Sequence, residues 1–153
     1  MSETLELIKS DLGSLALRVA AFESQQKSRI ARTVVTVLGD VELQDGEQYV
    51  GLIVSADGAK HHHIILLPGE FQGSWKEATN WAQNIGGELP DRCEGALLFA
   101  TMKDQFKPEW HWLREQHASH SGFAWTQDFD GGYQLNASKL FNYRARAVRR
   151  LPI

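Results

Sequence analysis

The chain has 153 residues, of which 42% are hydrophobic and 23% charged, so it is long enough and apolar enough to fold around a core. Its formal net charge of -3 gives no overall attraction to nucleic acid or to an anionic membrane, and we expect neither partner. The single cysteine, Cys93, excludes an intramolecular disulfide and a cysteine-rich zinc site. Early acidic residues and the lack of a long apolar run argue against a signal peptide or a membrane span.

The N-terminal part of the chain has a helical pattern of its own. Apolar residues recur at alternating steps of three and four, which is the spacing of a heptad seam. The seam consists of Leu5, Ile8, Leu12, Leu15, Val19 and Phe22. An amphipathic helix packed on its own domain would show the same pattern. We expect residues 1–31 to form an oligomerisation helix, as a short coiled coil of two or three chains, and residues 32–153 to form a second domain.

From residue 32 the pattern changes to that of strands. Residues 33–38 are rich in β-branched side chains and end at Gly39, and Gln48–Val54 is a second candidate strand. The turn pair at residues 57–58 leads into the sequence HHHIILL, so we expect a hairpin whose returning strand begins with the histidines of residues 61–63. Adjacent strand residues point to opposite faces, which argues against a metal site built from these histidines alone.

Two helices with strong start signals follow the hairpin. Ser74 with Glu77, and Asp91 with Glu94, have the spacing of capping boxes. Cys93 lies early in the second helix, and we interpret it as a core residue and not as a nucleophile.

The remainder of the chain returns to strand patterns. The predicted strands are residues 109–112, 122–129 and 143–150, with a turn at residues 130–132. Strands before and after two helices predict an α+β fold with a mixed, mainly antiparallel sheet. In the last strand, alternation places Arg144, Arg146 and Arg150 on one face, and we expect such arginines to pair with acidic side chains.

Several motifs follow one another in a recognisable order over about residues 48–151. They are HHxxLLPGE from His62, WxxAxxWA from Trp75, GGELPDR from Gly86, WxW from Trp110, AW at Ala124, and RARAVRR from Arg144. This order resembles a group of small phage and prophage proteins whose shared domain is similar to the C-terminal domain of the Legionella collagen-like adhesin. The resemblance implies a C-type-lectin-like fold.

The resemblance also implies a ligand-binding head, often displayed on a trimeric stalk, which favours three chains over two. The chain lacks the Glu-Pro-Asn and Trp-Asn-Asp calcium motifs of sugar-binding lectins, and it has no nucleophile elbow or phosphate loop, so we expect no cofactor, no metal and no enzymatic activity. The expected function is a phage or prophage module that binds a protein or glycan ligand, in the virion or the host cytoplasm. The alternative is an intracellular phage protein that binds and inhibits a host defence or nucleic-acid-processing factor.

Loops that a rigid sheet presents usually carry recognition, which directs attention to the loop and strands around residues 110–133. The predicted ligand contacts are Trp112, Glu115, His117, His120, Gln127 and Tyr133. Three histidines of this region, His111, His117 and His120, could with Glu115 also supply metal ligands, but a polar surface loop is the interpretation that we favour.

Overall fold

The computed structural model describes the backbone of residues 2–29 and 32–153, and the side chains of residues 2–25 and 32–153. Two compact units are present, Met1–Asp45 and Gly46–Ile153. The predicted domain boundary after residue 31 adjoins residues 30 and 31, which lie outside the described residues. Among the described helices, none is long and apolar enough to cross a membrane.

The first unit contains a long helix and a β-hairpin. Helix α1 spans Ser2–Arg29, which confirms the helix predicted there, and all of its described side chains are exposed. Strands β1 (Arg32–Thr36) and β2 (Gly39–Leu43) pair antiparallel. The sequence predicts only the first of these strands, with Gly39 as its end. Gly39 has a φ of 117°, a conformation that favours glycine, and it begins the returning strand.

The second unit is α+β, as predicted. Its elements in chain order are β3 (Gln48–Val54), β4 (His61–Leu66), β5 (Phe71–Gly73), α2 (Trp75–Asn84), α3 (Arg92–Met102), a short 3-10 helix (Lys103–Gln105), β6 (Trp110–Gln116), β7 (Phe123–Asp128), β8 (Gln134–Ser138), β9 (Tyr143–Ala145) and β10 (Val148–Pro152). One sheet has the strand order β10-β4-β3 and the other the order β5-β9-β6-β7-β8. All the strand pairs are antiparallel except β6 with β9, which are parallel.

Both helices of this unit begin with the predicted capping boxes. The Ser74 hydroxyl accepts a hydrogen bond from the backbone N–H of Glu77, and the Glu77 carboxylate accepts one from Ser74 N at 3.2 Å. Asp91 and Glu94 exchange the same two bonds, each at 2.8 Å. These bonds satisfy backbone donors that have no partner in the first turn of a helix.

Cys93 is exposed, so its prediction as a core residue is wrong. The next residue of α3, Glu94, is buried. Because neighbouring residues of a helix point in different directions, Cys93 then faces solvent. Partial burial, together with the nearby carboxylates of Asp91 and Glu94, raises the pKa of the Cys93 thiol. A raised pKa lowers the fraction of the thiol that is ionised at neutral pH.

The histidine run begins β4, as predicted. Ile64, which follows the histidines, is fully buried in a cluster with Leu66, Leu98, Phe106, Phe129 and Val148. His63 is buried and its Nδ1 lies 2.9 Å from the Tyr49 hydroxyl oxygen, whereas Nε2 of His62 lies 3.2 Å from a carboxylate oxygen of Glu94. The two histidines thus have different protein partners and do not converge on one point.

The basic C-terminal segment passes from one sheet to the other. The sequence predicts one strand over residues 143–150, but β9 belongs to the five-stranded sheet and β10 to the three-stranded sheet. Between these strands the Ala147 carbonyl accepts a hydrogen bond from Leu67 N at 2.9 Å. Residues 146 and 147 belong to neither strand. The prediction of one continuous strand over residues 143–150 is therefore wrong.

Most arginines of this segment pair with carboxylates, as predicted. The ion pairs are Arg144–Glu109, Arg149–Glu47, Arg150–Glu88 and Arg150–Glu94. Arg146 differs, because its guanidinium donates to the carbonyl oxygens of Gln105 at 2.6 Å and Leu67 at 3.1 Å. Its prediction as a partner of an acidic side chain is therefore wrong.

His111 is buried against two stacked aromatic rings that it meets edge-on, with its ring centroid 5.2 Å from that of Phe106 and 4.9 Å from that of Phe129. This burial lowers the pKa of His111 to about 4, although Nδ1 lies 2.9 Å from the Glu109 carbonyl oxygen. The side chain is therefore neutral in the folded protein at neutral pH. An exposed histidine has a pKa near 6.5, so the unfolded chain binds a proton at a higher pH than the folded chain does.

The stability that His111 contributes is therefore complete above about pH 6.5 and is lost as the pH falls towards 4. We expect the free energy of unfolding to decrease by about 2–3 kcal/mol between pH 7.5 and pH 4.5 through this residue. Urea denaturation at the two pH values measures the effect. The control is His111→Asn, whose amide retains a donor near Nδ1 but does not titrate. An equal decrease in both proteins would assign the pH dependence to other groups.

Candidate ligand-binding surface

The predicted ligand contacts differ in their exposure to solvent. Trp112 and Gln127 are buried, whereas Glu115 and His117 are partly exposed and His120 is exposed. The Trp112 indole N–H donates to the Gly73 carbonyl at 2.9 Å, inside the core. The prediction of direct ligand contact is therefore corrected for Trp112 and Gln127, because α2, α3 and neighbouring strands cover them.

Tyr133 is 68% exposed but stands apart from the histidines. Its ring covers Gly131, where a Cβ atom would lie 2.9 Å from a Tyr133 ring carbon. His111, in the aromatic cluster of the core, is likewise separated from the surface histidines. Among the described residues, no group of three histidine, cysteine or acidic side chains is placed to hold a metal ion.

The surface loop after β6 and the exposed side of β7 bring together a cluster of rings that we call the histidine–tryptophan surface. It consists of Arg92, His117, His120, Phe123 and Trp125. The Arg92 guanidinium carbon lies 3.7 Å from the centroid of the Trp125 ring, which is a cation–π distance. The His117 ring lies 6.2 Å from that of Trp125, at an angle of 19°, and 5.1 Å from that of His120.

The backbone of this surface is held by the sheet. Phe123 and Trp125 are two residues apart on β7, so their side chains share one face. The His117 N–H donates to the Phe123 carbonyl at 2.9 Å, and the Phe123 N–H donates to the His120 carbonyl at 3.0 Å. The histidine loop is therefore a closed turn between β6 and β7, and it presents its rings next to Trp125.

Arg92 is fixed from the other side by a polar network. Its Nε donates to Gln134 Oε1 at 3.1 Å, and its carbonyl accepts a hydrogen bond from Gln134 Nε2 at 2.7 Å. Gln134 also donates to the side chain of the buried Gln127 at 2.8 Å. Gln127 therefore supports the surface indirectly, through Gln134, although it lies beneath it.

Glu115 supports the start of α3 in the same region. One of its carboxylate oxygens accepts a hydrogen bond from the Arg92 N–H at 2.8 Å. Burial raises the pKa of Glu115, and the nearby Asp91 carboxylate adds to the effect. The Glu115 carboxylate thus binds the backbone at the start of α3, which is a structural role.

An open cleft of about 390 Å³ lies elsewhere on the five-stranded sheet. Its lining includes Gln72, Glu109, Trp110, Asn142, Tyr143 and Arg144. The Glu109–Arg144 ion pair closes part of its wall. Trp110 and Tyr143, which are both partly buried, contribute aromatic rings to this lining.

Arg92, Phe123 and Trp125 are not among the site residues predicted from the sequence. The strand pattern of GFAWTQDF does predict that the side chains of Phe123 and Trp125 lie on the same face. The position of Arg92 over Trp125 joins residues far apart in the chain, and no local pattern predicts such a contact.

The fold and surface define a small α+β protein that presents stacked aromatic and basic side chains on a rigid sheet. No protein-family model matches the chain, and comparisons with curated proteins and with solved structures found no match. The resemblance to phage proteins with a C-type-lectin-like domain stays a prediction.

Proposed function

We propose that the chain is a non-enzymatic phage or prophage binding module. In this proposal a C-type-lectin-like head binds a protein or glycan ligand, and α1 joins copies of the chain. The observation that carries the proposal is the partly exposed Trp125 ring, with the Arg92 guanidinium 3.7 Å from its centroid and the His117 ring stacked beside it. Two helices combined with two mainly antiparallel sheets agree with the proposed fold.

The composition of the histidine–tryptophan surface suits recognition. Tryptophan and arginine are enriched among the residues that dominate binding energies, because each buries a large area and forms directional contacts. Arg92 is already held by Gln134, so binding would immobilise few further side-chain rotations. A preorganised aromatic and cationic surface of this kind fits the planar and polar groups of a protein loop or a glycan.

The test uses the fluorescently labelled full-length chain and intact cells of the bacterial strain that carries the gene. We expect saturable binding to the cell surface, weakened at least about tenfold by Trp125→Ala, because loss of an aromatic side chain that dominates binding commonly costs about 2 kcal/mol or more. Tyr133→Ala is the matched control, since it removes an exposed aromatic ring outside the surface. Equal affinities for wild type and Trp125→Ala would contradict the assignment of this surface.

The same proposal predicts that mass spectrometry finds the chain in purified phage particles. Absence from the particles, no binding to cells, and abundance in the infected cytosol would together contradict a virion role. That combination would favour the alternative function, the inhibition of a host factor inside the cell.

A further inference from the structure

Helix α1 carries a continuous apolar seam that faces solvent. The six seam side chains, defined above by their heptad spacing, are each 47–60% exposed. The helix is unbroken from Ser2 to Arg29, so the three heptads lie on one rigid element. An exposed seam of this length is typical of a coiled-coil surface that a second helix covers.

The residues that flank the seam carry charges, and such residues determine how coiled-coil helices are oriented. One flank, the g positions, consists of Thr4, Asp11, Arg18 and Gln25. The other flank, the e positions, consists of Lys9, Ala16 and Glu23. The Lys9 ammonium also lies 3.3 Å from the Glu6 carboxylate of its own helix, an exposed pair outside the seam.

In a parallel pair of helices, each g residue faces the e residue five positions later in the second copy. Arg18 would face Glu23, which is favourable. Asp11 would face the uncharged Ala16, and Lys9 would face the uncharged Thr4. A parallel arrangement therefore leaves two of the four charged flank residues without an opposite charge.

In an antiparallel pair, g residues face g residues and e residues face e residues. With Leu12 aligned against Leu15 of the second copy, Asp11 faces Arg18 and Lys9 faces Glu23. The twofold axis repeats both contacts, so each of the four charged flank residues meets an opposite charge.

The sizes of the seam residues fit the same alignment. The remaining antiparallel layers pair Leu5 with Phe22 and Ile8 with Val19, so each layer combines a larger with a smaller side chain. A parallel pair would place Phe22 against Phe22 and Val19 against Val19. Layers of similar total volume pack with less strain and fewer voids than layers of very different volume.

We propose that two copies of this chain associate through α1 as an antiparallel pair. The proposal rests on the oligomerisation that forms part of the proposed function, and it specifies both the partner and its direction. With Leu12 aligned against Leu15, the C-terminal ends of the two α1 helices would lie about 45 Å apart, since about 31 residues at 1.5 Å per residue separate their levels along the axis. The two chains would then leave the pair at opposite ends, unlike the chains of a parallel stalk.

Charge reversal distinguishes the two directions. We expect Lys9→Glu to raise the dimer Kd at least about tenfold at low ionic strength, because the introduced carboxylate would face Glu23 of the second copy in both symmetry-related contacts. The double variant Lys9→Glu with Glu23→Lys should restore the wild-type Kd. It retains the introduced carboxylate beside Glu6 within one helix, so recovery would exclude damage to the isolated helix as the cause.

Sedimentation equilibrium of the full chain measures the Kd. If the helices are parallel, Lys9→Glu leaves the Kd unchanged, and the double variant weakens association because the lysine introduced at position 23 would face Arg18. That result, or a trimer, would overturn the antiparallel proposal, although α1 would still join copies of the chain. A wild-type monomer at micromolar concentration would overturn oligomerisation itself, while ligand binding through Trp125 is tested separately.

Spin labels give an independent measure of direction. In a Cys93→Ser background, a label on Ser2→Cys should lie about 35 Å from its counterpart in an antiparallel pair, since 23 residues separate the two levels along the axis. A label on Ser14→Cys is the control, because it lies near the twofold axis and gives a short distance in either arrangement. A short distance for both labels would overturn the antiparallel proposal.

Discussion

Replacing Glu94 with alanine is expected to lower the free energy of unfolding by about 3–5 kcal/mol. The Glu94 side chain is fully buried and accepts hydrogen bonds from Arg150 Nε at 2.8 Å and Nη2 at 2.6 Å. It also accepts the Asp91 N–H at 2.8 Å as part of the α3 cap. Burial alone would raise the pKa of Glu94, but the bonds from Arg150 and Asp91 outweigh it and lower that pKa. Removal of the carboxylate leaves the Arg150 guanidinium without its buried counter-charge.

The matched control is Glu88→Ala, which removes another acidic partner of Arg150. The Glu88 side chain is 49% exposed, so its ion pairs with Arg150 and Arg114 are screened by water and should contribute less than about 1 kcal/mol. Urea denaturation followed by circular dichroism measures both variants. Similar losses for the two variants would contradict a special role of the buried pair in joining α3 to β10.

Features whose partners are close in the chain could be predicted from the sequence. The two capping boxes join residues three positions apart, and the hairpin of β3 and β4 turns at Asp57 and Gly58. In each, the residue types and their spacing specify the hydrogen bonds, so a local pattern contains enough information.

Contacts between distant residues could not be predicted in this way. Glu94 and Arg150 are 56 positions apart, and the capping box revealed only the first role of Glu94. Strand β8, with the polar sequence QLNAS, was not predicted because its hydrogen bonds to β7 determine its structure more than its weak strand pattern does. Arg92 meets Trp125 for the same reason, through the packing of α3 against β7.

The sequence also could not distinguish which tryptophan of the WxW motif is covered. Trp110 and Trp112 are two positions apart on β6, so alternation places them on one face. Trp110 lies at the open cleft, whereas Trp112 lies beneath α2 and next to Tyr143, with their ring centroids 5.1 Å apart. The difference arises from elements that pack over one end of the strand, and strand spacing contains no information about them.

Replacing Trp112 with alanine is expected to lower the free energy of unfolding by about 3–5 kcal/mol, because it removes the largest fully buried side chain among the described residues. The surrounding core is rich in alanine, which has too little volume to fill the space. These neighbours are Ala78, Ala82, Ala124, Ala145 and Ala147. The variant also leaves the Gly73 carbonyl without the indole donor at 2.9 Å.

Trp125→Ala is the matched control for this variant, since it removes a tryptophan from the adjacent strand, but one that is partly exposed. We expect the two variants to separate stability from recognition. Trp112→Ala should unfold at a much lower urea concentration, whereas Trp125→Ala should lose cell binding with a change in stability below about 1 kcal/mol. Trp112→Phe separates the two contributions of Trp112, because it retains an aromatic ring in the core but removes the indole donor. If Trp112→Ala is stable but no longer binds cells, damage to the core cannot explain the loss of binding. That result would support the original prediction that Trp112 contacts the ligand directly.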